Sequence, residues 1–419
     1  MVVGTIIGAS IFVQPSEITR QMATVDGILL VWIAAGVLTL FGALACAELA
    51  SAFPRTGGVY VFLKEAYSPA AGFLWGWAMF WSMHTGIIAA IAMVFARYAA
   101  YFVPMDDTGM RLTAVGIIAL LSAINYVGVK HGGLVQNLFT ATKLAAVLVM
   151  IVAGLWLSRD VTLPPLVETA PATASGFALA MVAGLFAYGG WHMVTYAAGE
   201  TRRAASTIPR ALVLGTLIVT VCYAGLNAIY LRVLPLDALR ASSRVAADAA
   251  DVLMGSGGAG AMAVLVMIST FGAVNGIILA GPRVYYSMAH DGLLFRWVGE
   301  VHPRFQTPHR ALVLQAVWAS VLTLTDSYRA LFTRVIYTEW LFFAAMAGAL
   351  ILLRRRPGYA PTWRIPLYPY IPIVFIGASL AIVVMQIAAE PVDSALGLGL
   401  VVLGWPVYLL WGRHDHRHT

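Results

Sequence analysis

Apolar runs of about 20 residues follow one another along most of this chain, and they constrain its fold more than any other feature. A helix rises about 1.5 Å per residue, so a run of this length spans the ~30 Å hydrocarbon core of a bilayer. The run "ALVLGTLIVTVCYAGLNAIYL" at Ala211–Leu231 is apolar on every face, whereas a helix of a soluble solenoid needs a polar face. The composition agrees, with 60% hydrophobic and 11% charged residues. The sequence therefore predicts an all-α integral membrane protein.

Counting the runs gives twelve candidate transmembrane spans. The first is interrupted and ends near Met22, and the others cover Gly27–Ala52, Ala70–Phe102, Leu112–Val129, Leu134–Leu157, Ser175–Ala198, Ala211–Leu231, Ala259–Met288, Ala311–Thr325, Leu331–Leu353, Ile371–Ala389 and Leu396–Trp411. Two connecting segments carry patterns of their own. Residues 233–258 are long and rich in Ala and Asp, which predicts short helices over the outer mouth. Residues 55–70 have the aromatic and apolar face of an interfacial helix.

Basic and acidic residues are sorted between alternate loops. If the first span begins in the cytoplasm, the inner loops collect most bases, Lys130 and Arg417 among them, and the outer loops most acids, including Asp160 and Glu168. This positive-inside pattern predicts a multi-pass protein of the cell (inner) membrane, in contact with the lipid bilayer, with both termini cytoplasmic. The net charge of +7 is interpreted as this topology signal, and no nucleic-acid partner is expected because no basic run is interleaved with exposed aromatic residues.

Two spans are interrupted by small residues, the first at Gly8-Ala9-Ser10 and the sixth at Gly189-Gly190. Unwinding a helix in the membrane frees N–H and C=O groups that lipid cannot satisfy, so such a break is stable only where it is buried or lines a cavity. N–H groups at a half-helix N-terminus favour a carboxylate, and freed carbonyls favour an ammonium. An α-amino acid carries both groups. The alternative is that these glycines only allow close helix packing.

The two breaks occupy corresponding positions of two five-span halves, which indicates an inverted-repeat transporter with its substrate at the breaks. The first repeat is predicted at about 1–157 and the second at about 175–353. Helices 11 and 12, at about 371–411, complete a single transmembrane domain over 1–419.

The sequence also resembles the L-type amino acid transporters of the amino acid–polyamine–organocation superfamily. The resemblance lies in "VVGTIIGASIFVQP", "FGALACAELASAFPRTGGVYVFLKEAY", "VQNLFTATKLAAVLVMIVAG", "GLFAYGGWHMVTYAAGE" and "FGAVNGIILAGPRVYYSMAHDGLLF", in order from the first span to at least the tenth. It implies twelve helices in the five-plus-five fold first seen in the leucine transporter. It further implies alternating access and sodium-independent exchange of amino acids.

The resemblance also assigns a substrate site. It implies that the substrate carboxylate meets the backbone N–H groups of Ala9 and Ser10 in the first break. It implies that the ammonium meets the carbonyls of Ile6, Phe186 and Gly189. Phe186 matches an aromatic gate on the outer side, and Ser10 and His192 depart from the family pattern, which often has Gly and Asn there. The residues assigned to the substrate are Ile6, Gly8, Ala9, Ser10, Phe186, Ala187, Gly189, Trp191, Glu339 and Trp340.

Lys143 in "FTATKLAAVLV" is predicted to lie about 14 Å deep, near the middle of the fifth span. A central charge costs about 2.5–3.5 kcal/mol on insertion scales, so the side chain should face the bundle interior and have partners. In the resembling family a lysine here takes the place of bound sodium and tethers the first break to the eighth helix. The expected partners are the Gly8 carbonyl and a hydroxyl of Ser269 or Thr270. The alternative places the lysine in an aqueous inner vestibule.

Glu339 and Trp340 fall, according to the same resemblance, near the pocket for the substrate side chain. A carboxylate there favours a polar or cationic side chain. The alternative is that Glu339 pairs with Arg334, five residues earlier.

The sequence carries no enzyme constellation and no Walker loop, so neither catalysis nor ATP-driven pumping is predicted, and no cofactor or metal is expected. Relatives in eukaryotes pair with a glycoprotein through a cysteine between the third and fourth helices. The corresponding segment "YFVPMDDTGMR" has no cysteine, so no disulfide-linked heavy chain is expected. Cys46 and Cys222 both lie in apolar runs.

These patterns together predict a sodium-independent transporter, and specifically an exchanger, of L-amino acids with neutral side chains. The alternatives are a carrier of cationic amino acids or polyamines and an amino acid sensor that does not transport. Only seven residues precede Gly8, about 10 Å of helix against the ~15 Å needed to reach the inner surface from mid-membrane. We therefore expect the start of the protein to lie upstream of Met1.

Overall fold

The computed structural model describes residues 2–128, 132–158 and 173–415, and within these ranges every regular element is a helix. Nine helices in this part of the chain are long and apolar enough to cross a membrane. The prediction of an all-α, multi-pass membrane fold is therefore confirmed. Four residues of the predicted charge pattern, Lys130, Asp160, Glu168 and Arg417, lie outside the described residues.

The helices follow the predicted spans, and we number the spans in chain order. Span 1 consists of two short helices, Val2–Ile6 and Gln14–Gln21, and spans 2 to 5 are Val25–Ala52, Pro69–Ala99, Asp107–Val127 and Gly132–Leu157. Span 6 consists of Ala174–Ala187 and the 3₁₀ segment Trp191–Glu200, and spans 7 to 10 are Ala204–Val233, Ser256–His290, His309–Thr325 and Tyr328–Leu353. Spans 11 and 12 are Tyr370–Ala389 and Pro391–Asp415.

Several spans begin at a short polar residue that caps the helix. The side chains of Thr24, Asp106 and Ser327 accept hydrogen bonds from backbone N–H groups three residues later, at 3.2, 2.7 and 3.2 Å. Such caps satisfy donors that the first turn of a helix leaves unpaired. These capping residues thus fix where the helices of the apolar runs begin.

Both connecting segments contain short helices, while their positions at the membrane surface and over the outer mouth stay predictions. Val59–Ala66 is the helix between spans 2 and 3. Leu236–Ala241 and Val245–Met254 lie between spans 7 and 8. The first of these two packs against Gln14–Gln21, the second half of span 1.

The broken spans lie inside the bundle. The half-helix Val2–Ile6 packs against spans 5, 7 and 8 and against the 3₁₀ part of span 6, so other helices surround the first break. Residues 4–19 are all buried. The irregular backbone is therefore shielded from lipid by protein, as a break in a membrane helix requires.

Candidate functional site

The first break changes the backbone hydrogen bonding between Ile6 and Gln14. The N–H of Gly8 turns back to the Ile6 carbonyl at 2.7 Å, and a 3₁₀ turn at Ser10–Phe12 begins with Phe12 N–H donating to the Ala9 carbonyl at 3.1 Å. Within the described backbone, the N–H groups of Ala9 and Ser10 donate to no carbonyl. These are the two donors that the sequence assigned to a substrate carboxylate.

The second break brings the two interrupted spans into direct contact. Gly190 has a φ of +92°, and a Cβ built on it would lie 2.9 Å from the Thr5 carbonyl oxygen of span 1. Only glycine combines this left-handed backbone with so close an approach. Gly189 N–H donates to the Phe186 carbonyl at 3.0 Å and closes the end of the preceding helix.

Tyr223 of span 7 connects the two breaks, and the sequence analysis missed it. Its buried hydroxyl lies 2.9 Å from the Ile6 carbonyl and 3.2 Å from the Ala187 carbonyl. A phenol has one proton, so it donates to one of these carbonyls at a time or is shared by both. When the phenol donates to Ile6, that carbonyl, which also accepts from Gly8, has both lone pairs engaged. In this conformation a substrate ammonium has to displace one of these donors from Ile6.

A narrow cavity lies between the breaks. It has about 10 Å³ of space for the centre of a water-sized sphere, close to the minimum for one water molecule. The bundle is therefore closed around its centre. The lining residues are Thr5, Ile6, Gly8, Ser10, Ile87, Ile91, Phe186, Gly189, Gly190, Met193, Ile277 and Glu339.

The structure therefore brings most of the predicted substrate residues to one cavity, but not all of them. Ala9, Ala187, Trp191 and Trp340 are buried but do not line it. Trp191 and Trp340 both pack on the ring of Phe343, at centroid distances of 4.9 and 5.9 Å, in a layer behind the cavity. Their assignment to the substrate stays a prediction.

Aromatic rings cover the cavity on its predicted outer side. Phe186, predicted as the gate, packs against Phe332 of span 10 at a centroid distance of 5.4 Å. Both side chains are buried. Phe332 was not identified from the sequence, because nothing in its apolar run distinguishes it from its neighbours.

Lys143 and Ser269 both hold the first break. The ammonium of Lys143, 2% exposed, donates to the Gly4 carbonyl at 3.2 Å, and the Ser269 hydroxyl donates to the Gly8 carbonyl at 3.2 Å. The prediction that Lys143 is interior and faces span 1 agrees with these contacts. Its carbonyl partner differs from the expected Gly8, because the lysine reaches the half-helix one turn earlier. Thr270, the alternative to Ser269, instead donates back within its own helix.

Glu339 lines the cavity and is 3% exposed. The prediction that it pairs with Arg334 is wrong, because Arg334 binds Asp326 at 2.9 Å. Residues five apart on a helix lie on different faces, whereas pairs three or four apart meet. Among the described residues, the ionisable group that lies within ion-pair distance of Glu339 is His192, whose Nε2 is 3.9 Å from Glu339 Oε1.

Charged pairs close the predicted inner end of the bundle. Glu48 of span 2 accepts two hydrogen bonds from Arg354, at 2.7 and 2.6 Å, and a third from Ile365 N–H at 2.7 Å. The hydrogen bonds to Glu48 raise the pKa of the Arg354 guanidinium above its ordinary value. Arg283 of span 8 binds Glu200 at the end of span 6 through two hydrogen bonds, at 2.8 and 2.9 Å.

No group of three or more His, Cys, Asp or Glu side chains suitable for a metal occurs among the described residues. Cys46 and Cys222 are buried free thiols. Among the described residues, the chemistry available around the cavity is that of backbone N–H and C=O groups, hydroxyls, the Glu339 carboxyl group, the imidazoles of His192 and His84, and the Lys143 ammonium.

Comparison with known proteins extends over nearly the whole bundle. A profile of the family described as "Amino acid permease" matches residues 1–407. The chain is 31% identical to the serine/threonine exchanger SteT of Bacillus subtilis (strain 168), over 97% of this chain and 94% of that protein. It is 30% identical to the large neutral amino acids transporter small subunit 2 of Homo sapiens, over 100% of this chain and 79% of that protein. It is 29% identical to the b(0,+)-type amino acid transporter 1 of Mus musculus, over 97% of this chain and 85% of that protein. The family profile and the match to the human protein both extend over the breaks, the buried lysine and the residues that line the cavity.

Proposed function

Because this chain belongs to the amino acid permease family and resembles its L-type transporters, we propose that it exchanges L-amino acids across the cell membrane without sodium. The observation that carries the proposal is the pair of helix breaks that face each other across a closed cavity. Their backbone groups match the two charged ends of a zwitterion.

The mechanism we infer is alternating access. The N–H groups of Ala9 and Ser10 receive the carboxylate, and the ammonium takes the place of an internal donor at the Ile6 carbonyl. Phe186 covers the substrate on the outer side. Exchange, rather than one-way transport, results if the closed bundle reopens readily only after a substrate has replaced these internal hydrogen-bond donors.

Neutral substrates are favoured by the cavity wall. Ile87, Ile91, Met193 and Ile277 supply apolar side chains next to the breaks. Two of the relatives are named for serine and threonine and for large neutral amino acids. An uncharged substrate side chain brings no charge next to Glu339, the one carboxyl group among the described residues of the cavity wall.

A carrier of cationic amino acids is the second candidate, because Glu339 lines the cavity with no Lys or Arg within ion-pair distance among the described residues. A non-transporting amino acid sensor is the third. It shares the same site, so only a measurement of flux separates it from a transporter.

Sodium independence is inferred from Lys143, whose charge lies against the first half of span 1. A cation there repels a second one, and its ammonium supplies the tether that sodium would otherwise provide. Topology is inferred from the loop charges, with both termini in the cytoplasm, and the two repeats are inferred at about 1–157 and 175–353. We expect no disulfide-linked heavy chain.

Counterflow in proteoliposomes tests this proposal. Vesicles are loaded with one unlabelled amino acid and challenged with labelled leucine, alanine, serine, arginine or putrescine in sodium-free buffer. Uptake of neutral amino acids that depends on the internal load is expected. Uptake of arginine but not leucine would favour the cationic carrier, and binding without any flux would favour the sensor.

A further inference from the structure

Glu339 and His192 form an acid and base pair in the wall of the cavity. Glu339 comes from span 10 and His192 from the second part of span 6, immediately after the break. Their nearest atoms, Nε2 and Oε1, lie 3.9 Å apart, about 1 Å beyond a charge-assisted hydrogen bond. Within the described part of the chain, neither ring nitrogen of His192 has a hydrogen-bond partner. An unpaired imidazole thus faces a buried carboxyl group where an unmade hydrogen bond is expensive.

Aromatic rings enclose the imidazole on several sides. The rings of Trp75, Trp191, Tyr196 and Phe343 lie 4.9 to 5.8 Å from it, centroid to centroid. This cage shields the imidazole from water, and Glu339 lines the narrow cavity, so water would reach the pair through that cavity when it opens. The proton that the pair needs therefore enters and leaves through the substrate cavity.

The other titratable groups around the pair carry no charge that balances Glu339. His84 of span 3 lies in the same cluster, but its Nε2 is hydrogen-bonded to the Ile277 carbonyl at 2.8 Å. The phenols of Tyr196 and Tyr285 and the thiol of Cys46 are neutral in their protonated forms. Lys143 is committed to Gly4 on the first half of span 1.

A carboxylate that is shielded from water and has no cation is unfavourable, so it is neutralised by a proton or by a cationic partner. We propose that Glu339 and His192 form a proton site in the wall of the substrate cavity, filled when the cavity closes around a neutral amino acid. The inference rests on the proposed function. The proton comes from water in the open cavity, adds to the carboxylate or the imidazole, and is released to water when the cavity opens to the other side.

Proton movement during exchange tests the site. Proteoliposomes of the full chain hold equal concentrations of L-serine, or of the neutral amino acid with the fastest counterflow, on both sides. Valinomycin and potassium clamp the membrane potential, a pH gradient is imposed, and a pH-sensitive dye is trapped inside. If each substrate crosses with a proton, the pH gradient decays faster in these vesicles than in matched vesicles without amino acid. Counterflow of label at equal pH, measured in parallel, gives the rate of exchange.

Three variants sharpen the assignment. Glu339→Gln is expected to lose the amino-acid-dependent decay, measured as protons moved per amino acid exchanged. His192→Gln is expected to move the pH at which this ratio is half-maximal, a change that a packing role alone does not produce. Glu300→Gln is the matched control, because this carboxylate lies on the surface, 3.0 Å from Arg310, and its loss should leave the ratio unchanged.

If a variant does not fold, the wild-type protein alone still tests the proton site. Rapid counterflow with no amino-acid-dependent decay of the gradient would overturn the proton site and leave the transport function standing. A Glu339→Gln protein with the wild-type ratio would overturn it as well. Absence of counterflow for every substrate would overturn the proposed function and the proton site with it.

Discussion

Replacing Gly190 with alanine tests whether the two breaks must touch. This glycine has a φ of +92°, and the added Cβ would lie 2.9 Å from the Thr5 carbonyl oxygen. The obstacle is a backbone atom of a buried break, so no side-chain rotation relieves it. The substitution therefore acts on the contact between spans 1 and 6 itself.

The magnitude follows from two contributions. A residue other than glycine in a sparsely populated backbone region costs about 1–3 kcal/mol. Overpacking in a well-packed interior adds about 1–3 kcal/mol. Even the lower sum, about 2 kcal/mol, disfavours the closed conformation roughly 30-fold relative to open ones. Because exchange must pass through the closed conformation, the counterflow rate of Gly190→Ala should fall by at least about tenfold.

The assay is initial-rate counterflow, with thermal inactivation in detergent as a second measurement. Gly116→Ala is the matched control, because a Cβ at this position of span 4 has no atom within 4 Å. That change should leave the rate intact and add up to about 1 kcal/mol of helix stability. A Gly190→Ala protein that exchanges amino acids at the wild-type rate would refute the claim that the breaks must approach so closely.

Three further substitutions address the contacts around the cavity. Tyr223→Phe removes the hydroxyl that joins the breaks, a loss of about 1–3 kcal/mol that should slow counterflow. Tyr230→Phe is the control, because that buried hydroxyl has no hydrogen-bond partner in the described structure. Equal counterflow rates for the two variants would contradict the bridge. Lys143→Ala removes a charged hydrogen bond worth about 1.5–3 kcal/mol, so exchange in sodium-free buffer should drop roughly tenfold or more, and a full rate there would exclude the tether. Glu48→Gln leaves Arg354 without its carboxylate and should cost about 3–5 kcal/mol in stability, seen as a lower midpoint of thermal unfolding in detergent; an unchanged midpoint would show that the pair is not stabilising.

The breaks were predictable because their signal is local. Small residues inside an apolar run mark candidate positions at which a membrane helix can unwind, and both breaks occur at the residues where the sequence places them. Lys143 was predictable for a similar reason, since a charge near the middle of a span must face the protein. Both inferences need only the position of a residue along its own helix.

The partners of these residues were not predictable, because they depend on how the helices rotate and slide against each other. Tyr223 looks like any aromatic residue of an apolar run, and only packing brings its hydroxyl to carbonyls of two other spans. The same freedom moves the contact of Lys143 from Gly8 to Gly4, about one turn along span 1. Arg334 illustrates the opposite error, in which nearness along the sequence was mistaken for nearness on a helix face.

The predicted inner end of the bundle is closed by two ion pairs of different strength, and this difference indicates which contact breaks more easily. At the predicted inner end, Glu48 is fully buried and its pair with Arg354 joins spans 2 and 10, so separating it is expensive. The pair that joins span 6 to span 8 is half in water, with the Glu200 side chain 58% exposed, and exposed pairs contribute about 0–1 kcal/mol. The Glu200–Arg283 pair can therefore break at little cost while the Glu48–Arg354 pair stays formed. We expect charge reversal at Glu200 to change the rate of inner opening and to leave the thermal stability nearly unchanged.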